Sequence, residues 1–335
     1  MLDSRFRGND FVVILKSMPI TVWLVFFAIY SVLLVLDLGV LHRESEVMSV
    51  SRALLATLMW IVVALLFSGF VYCLYEFHWM GVESSLNGVN AFLQFITGYV
   101  LEWSLSVDNI FVIAIILSYM QIPVQYQYRV LFWGIVGAIA LRGALILAGS
   151  ALIHNFDWMF YVFGAILIWS AISMFRTEEE FDPEQSRMMR LIRRLLPVTD
   201  TLSGDRFVVT VNQQRMATPL LVALLFVDIA DVVFAVDSIP AIFAVTQDTF
   251  LVFTSNAFAI LGLRALYFAV AGLLSLFKYL KTSLVIVLGF IGAKMLLHAH
   301  FKIPDGISLL VILGVLTAGV LVSLWSDRSK SSAGK

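Results

Sequence analysis

The sequence predicts an all-α protein that crosses a membrane many times, on three observations. Of its 335 residues, 61% are hydrophobic and 13% charged, with a mean hydropathy of +0.94. Soluble domains carry about 45–50% apolar and about 25% charged residues. The apolar residues collect in runs close to the ~20 that a helical span needs. Finally, carboxylates recur inside those runs in two matching strings, where chance placement is costly.

Taken in order, nine runs qualify as spans: 20–41, 53–75, 91–119, 130–153, 157–175, 218–246, 250–275, 282–299 and 306–325. Residues 1–17 precede them as a polar extension, without the apolar core and small-residue cleavage site of a signal peptide. Met18-Pro-Ile-Thr reads as a more natural start. Residues 18–335 form one transmembrane domain. Its single long interruption, 176–217, carries seven basic and seven acidic residues. Within it Glu184–Leu196 has the pattern of an amphipathic interfacial helix. Arg206–Val211 followed by Asn-Gln-Gln reads as a strand and turn.

Nine spans put the termini on opposite sides. Of the 22 Lys and Arg residues, 15 fall on the side of loop 176–217 and the C-terminus. Four fall on the other side, and Arg142, Arg264 and Lys294 lie inside spans. The positive-inside rule then places the N-terminus outside and the loop and C-terminus in the cytoplasm.

The two strings are Glu102-Trp-Ser-Leu-Ser-Val-Asp108-Asn109-Ile110 and Asp231-Val-Val-Phe-Ala-Val-Asp237-Ser238-Ile239. They sit in spans three places apart, so the second copy enters from the opposite face. Each is followed in the next span by Leu-Arg, at Arg142 and Arg264. Units of about 91–175 and 218–299 therefore read as an inverted repeat of three helices each. Such repeats commonly hold an ion site near the midplane, at their interface.

Six acids fall at membrane depth (Asp37, Glu102, Asp108, Asp228, Asp231, Asp237) against three bases (Arg142, Arg264, Lys294). A charge at a helix centre costs ~2.5–3.5 kcal/mol, so nine unpaired charges would cost ~25 kcal/mol. That exceeds the ~5–15 kcal/mol by which a typical protein is stable. The bases answer three acids; the rest need protons, water or a cation. Two carboxylates six residues apart are turned by about 240° and separated by ~9 Å along a straight helix. Neither pair can serve one small ion from an unbroken helix. Breaks are therefore expected at Asp108-Asn109 and at Asp237-Ser238, where Pro240 removes a backbone donor. Asp228 and Asp231, three apart, share a face. Carboxylates, an amide, a hydroxyl and unwound carbonyls make an all-oxygen site, suited to Mn²⁺, Ca²⁺ or Mg²⁺.

Glu102–Ile110, Asp228–Ile242 and Gly292-Ala-Lys-Met-Leu-Leu297 resemble the signature segments of TerC-family integral membrane proteins. The resemblance runs from Ile20 to the last span and includes Asp37-Leu and Ala217-Thr-Pro-Leu. It implies a bacterial inner-membrane or thylakoid protein, with Mn²⁺ efflux as the activity of several members and tellurite resistance as the historical name. It further implies a metal role for Glu102, Asp108, Asn109, Asp231 and Asp237. Residues 1–17 have no counterpart in it.

Plainer readings stand beside these. Ser104, Ser106, Asp108, Asn109, Asp237 and Ser238 could satisfy backbone groups at helix breaks. Glu102 and Asp231 could only bridge to Arg142 and Arg264. Asp228 could be a ligand or a supporting residue, Asp37 a polar anchor or a gate, and Lys294 a counter-charge that holds the empty site. His298 and His300 with Asp305 lie at the outer face, as a low-affinity exit site or, more plainly, an interfacial polar cluster. The lone Cys73 excludes an internal disulfide and a cysteine-cluster metal site. No HExxH or Gly-x-Gly-Asp motif points to an intramembrane protease, so no enzyme activity, prosthetic group or nucleic-acid partner is expected. The expected partners are the lipid bilayer, a divalent cation as substrate, Mn²⁺ foremost, and protons as coupling ion. The alternative is a membrane scaffold or stress-resistance factor that takes a protein partner through loop 176–217.

Overall fold

The computed structural model describes residues 18–37, 50–156, 158–176, 187–199, 202–211, 213–271, 280–297 and 303–333. The extension 1–17, His298, His300 and the first residues of the expected amphipathic helix lie outside them.

The chain is an all-α bundle with one small hairpin. Helices α1 (Ile20–Val35) and α2 (Val50–Glu76) precede the first unit. That unit is α3 (Gly88–Tyr119), α4 (Val124–Asn155) and α5 (Met159–Arg176). Across the loop come α6 (Arg187–Leu195) and the antiparallel strands β1 (Val208–Val211) and β2 (Gln214–Ala217). The second unit is α7 (Pro219–Phe243), α8 (Thr249–Ile260), α9 (Leu263–Ala271) and α10 (Leu280–Leu296), and α11 (Asp305–Ala333) closes the chain. Six described helices are long and apolar enough to span, or seven when α8 and α9 count as one bent span. The remaining two expected spans are α1 and α10, which have 16 and 17 described residues.

The packing order is the same when one unit is exchanged for the other. α3 lies on α8, α4 on α7, α3 on α7 and α5 on α10. At the α5–α10 crossing Gly164 and Gly292 face each other. A Cβ on either would come within 3.2 or 3.1 Å of the other's carbonyl oxygen. Inside lipid, where apolar surface gives helices no reason to associate, small residues allow this close approach. Phe163-Gly-Ala and Ile291-Gly-Ala stand at matching places in the two units.

Both expected helix breaks are absent. α3 runs unbroken through Asp108-Asn109, and Ser104 bonds back to the Val100 carbonyl at 2.6 Å within the helix. α7 runs through Asp237-Ser238 to Phe243. Pro240 lies in its last turn, so little regular helix remains for it to disrupt. The break falls at Leu261-Gly262 instead, where α8 and α9 meet at 42°. Gly262 has φ +82° and is pressed on Trp60, whose ring carbon Cδ1 would lie 2.6 Å from an added Cβ.

An aromatic layer from α1, α2 and α8 fills the side beside the first unit. Phe67 and Phe258 stack at 4.3 Å, Trp23 and Phe26 pack on Phe250 and Phe253, and Tyr30 donates to the Ala257 carbonyl at 3.0 Å. Loop 176–217 matches its reading where described. α6 buries Met189 and Ile192 in a cluster with Leu220 and Ala223 of α7, and β1 pairs Val208 with Ala217 through a turn at Gln213.

Candidate functional site

Unbroken helices decide what the two strings can do. About 240° of rotation sends each string's carboxylates to different neighbours. Glu102 and Asp231, from α3 and α7, both turn to Arg142 in the middle of α4. Arg142 Nε donates to Asp231 Oδ2 at 2.9 Å, and Nη2 donates to Oδ1 at 2.7 Å, a two-pronged pairing. Nη1 pairs with Glu102 Oε1. With the Asn109 amide turned so that its oxygen faces the guanidinium, it accepts from Nη2 at 3.2 Å and donates to the Leu105 carbonyl. Arg142 and Glu102 are both 1% exposed. One base therefore answers two acids and an amide, where the sequence suggested one arginine per acid. The guanidinium's planar fork of five donors makes this possible.

The other members of each string point elsewhere. Asp108 sees the charge of Lys281 at the start of α10. Asp237 meets the Ser170 hydroxyl of α5. Ser238 is buried, with no hydrogen bond to its hydroxyl among the described residues. Asp228 lies one turn from Asp231, over Gly137 of α4, where an added Cβ would stand 2.9 Å from its Oδ1. Its Oδ1 is buried without a hydrogen bond among the described residues. Arg264, just past the break, donates from Nη2 to the Asp37 carbonyl at 2.7 Å. Asp37 sits fully buried at the end of α1. Lys294 stands in a separate cluster, donating to Ser308 Oγ at 2.9 Å with Asp305 at 3.8 Å. The structure thus places it with α11 and not beside the Arg142 cluster, where a counter-charge to the site was expected.

A cavity of about 40 Å³ adjoins Arg142's partners. Asp231, Asn109, Ser106 and Arg264 line it. The Ser106 hydroxyl is fully buried and has no hydrogen bond among the described residues. A space of this size holds about three waters, or an ion with part of its shell. Sequence reading assigned Ser106 only to a helix break that does not form. Its signal was the spacing: Glu102, Ser106 and Asn109 follow i, i+4, i+7, one face of an unbroken helix. Among the described residues no three His, Cys, Asp or Glu side chains converge as a metal cluster.

Helices of spanning length around a buried ionic cluster define a polytopic integral membrane protein with a polar centre. The family model for "Integral membrane protein TerC family" matches residues 87–331, and the chain belongs to that family. It is 47% identical over 307 residues to an uncharacterized membrane protein of Myxococcus xanthus, covering 91% of this chain and 92% of that one. A Rickettsia bellii membrane protein is 42% identical over 303 residues, covering 90% and 96%. The Escherichia coli K12 protein named "Putative membrane-bound redox modulator Alx" is 41% identical over 307 residues, covering 90% and 94%. No solved structure gives a significant match.

Proposed function

We propose that the protein exports a divalent cation, Mn²⁺ foremost, across the bacterial inner membrane, with the loop and C-terminus in the cytoplasm. One observation carries the reading. Asp231, Asn109 and Ser106 line one small cavity, beside two carboxylates held by one guanidinium. Glu102, Asp228 and Asp231 against Arg142 and Arg264 leave one negative charge around it. The donors a hard cation would meet there are the oxygens of Asp231 and Asn109, on a wall that is otherwise largely apolar and carries Arg264. The cation competes with Arg142 for Asp231, so the arginine keeps the acids paired while no substrate is there. Asp108 and Asp237, set on either side of this level along α3 and α7, serve as stepping ligands. Protons on the surplus acids provide the counter-ion.

The Alx name points to redox modulation. Cys73 is this chain's single cysteine, so a thiol route would need a partner molecule. The direct test is Mn²⁺ accumulation in cells expressing the wild type, Asp108→Ala or Asp237→Ala. Export should drop in both variants. If both export as well as the wild type, these two acids are not on the path.

A further inference from the structure

Where α7 begins, α6 presents a strongly basic surface that the export reading does not use. Residues 187–199 contain four arginines and no acid. Met189 and Ile192 are buried, in one cluster with Leu220 and Ala223 of α7. Arg190 and Arg194, one helical turn apart, are exposed on another side. Neither has an ion pair among the described residues. Arg129, near the start of α4, is by contrast answered by Asp205. Leu191 lies about 100° round the helix from both Ile192 and Arg190, and it is 52% exposed. The free surface of α6 is therefore basic with an apolar edge.

Backbone bonds fix the height of this surface. Just past α6 the chain pairs with the residues that lead into α7. Val198 bridges Ala217, the Ala217 amide donates to the Pro197 carbonyl at 2.8 Å, and the Thr199 amide donates to the Ala217 carbonyl at 2.9 Å. Thr218 then donates from Oγ1 to the Arg206 carbonyl at 2.7 Å, which ties in the hairpin. α6 thus sits against the first turns of α7 and does not ride on a free loop. α7 has 25 residues, a length of ~37 Å, against a hydrocarbon core of ~30 Å in a bilayer of ~40–45 Å. Its ends reach into the headgroup layers, and Leu220 is in its first turn. That puts α6 at headgroup level.

We propose that α6 binds anionic phospholipid headgroups of the leaflet in which α7 begins, with Arg190 and Arg194 on the phosphates and Leu191 among the upper acyl chains. The planar guanidinium fork matches phosphate oxygens, and a basic face with an apolar edge is the pattern of a helix lying in the bilayer surface. An acidic protein or a nucleic acid would engage the arginines alone; the exposed leucine at the same height is what selects lipid. The contact holds the hairpin and the start of α7 to the membrane surface, whatever the protein carries.

The test offers phosphatidylglycerol or phosphatidylcholine to the purified full-length protein in detergent and counts bound lipid by native mass spectrometry. The wild type should retain phosphatidylglycerol in preference. Arg190→Gln and Arg194→Gln together should weaken its binding by about 25-fold at low salt, about fivefold per arginine, and leave phosphatidylcholine unchanged. Leu191→Gln should weaken phosphatidylglycerol binding by severalfold. An unchanged thermal transition in phosphatidylcholine shows that the variants fold. Equal retention of the two lipids by the wild type overturns the proposal, as does undiminished phosphatidylglycerol binding in the double variant. Binding of a polyglutamate peptide through the same two arginines, with no preference for phosphatidylglycerol, would make the face a protein-docking surface and overturn it too.

Discussion

Arg142 and Arg264 stand at matching places in the two units, yet they do different work. Arg142 lies inside a continuous 32-residue helix and holds Glu102, Asp231 and Asn109. Arg264 lies two residues beyond a bend and holds the Asp37 carbonyl of α1, while its Nε has no hydrogen bond among the described residues. Both are 1% exposed. A duplicated sequence has thus diverged into a clamp on one side and a hinge anchor on the other. The clamp fixes the carboxylates, and the second unit has a bend beside its arginine that the first lacks. The Asp231–Asn109–Ser106 cavity lies between them, with Arg264 on its wall.

The largest effect should come from breaking the clamp. Arg142→Met strands two buried carboxylates and should cost ~3–5 kcal/mol, seen as a large drop in thermal stability in detergent. If the loss is small, Glu102 and Asp231 are protonated or hydrated, and the clamp is incidental. Next comes the hinge. Gly262→Ala meets both a left-handed backbone (~1–2 kcal/mol) and the Trp60 ring (~1–3 kcal/mol), so ~2–4 kcal/mol is expected. Arg264→Met removes a hydrogen bond to the Asp37 carbonyl and the positive charge that acts on the one buried Asp37 carboxylate, and should cost less than Arg142→Met, which strands two. Equal costs for the two arginines would erase the comparison. Smallest in stability is Ser106→Ala, within about 0.5 kcal/mol of the wild type because the hydroxyl has no hydrogen-bond partner to lose. Its effect should appear as weaker Mn²⁺ binding, measured by titration.

Much of this was legible in the chain. The duplicated strings, the order of helices and the loop's helix and hairpin follow from hydrophobic runs and turn residues. The partner of each acid did not. Nothing in the spacing says that a guanidinium on α4 can reach carboxylates on both α3 and α7, because that depends on how the three helices cross. The position of the break was misjudged for a physical reason. Pro240 was weighed as a helix breaker, but in a last turn it breaks little. Gly262, inside Ile-Leu-Gly-Leu-Arg, was the stronger signal, since a lone glycine there allows a positive φ. The cluster of Gln94, Lys294 and Asp305 joins α3, α10 and α11, and no local pattern links residues so far apart.

On the proposed function, a divalent cation crosses the membrane through the Asp231 site. Purified protein in proteoliposomes, loaded with a Mn²⁺-sensitive dye and tested with and without a pH gradient, tests it most directly. Metal entry by the wild type, accelerated by the gradient, is expected, with a loss of about tenfold or more in Asp231→Asn. Mn²⁺ entry at the same rate in wild type, Asp231→Asn and empty liposomes would contradict it.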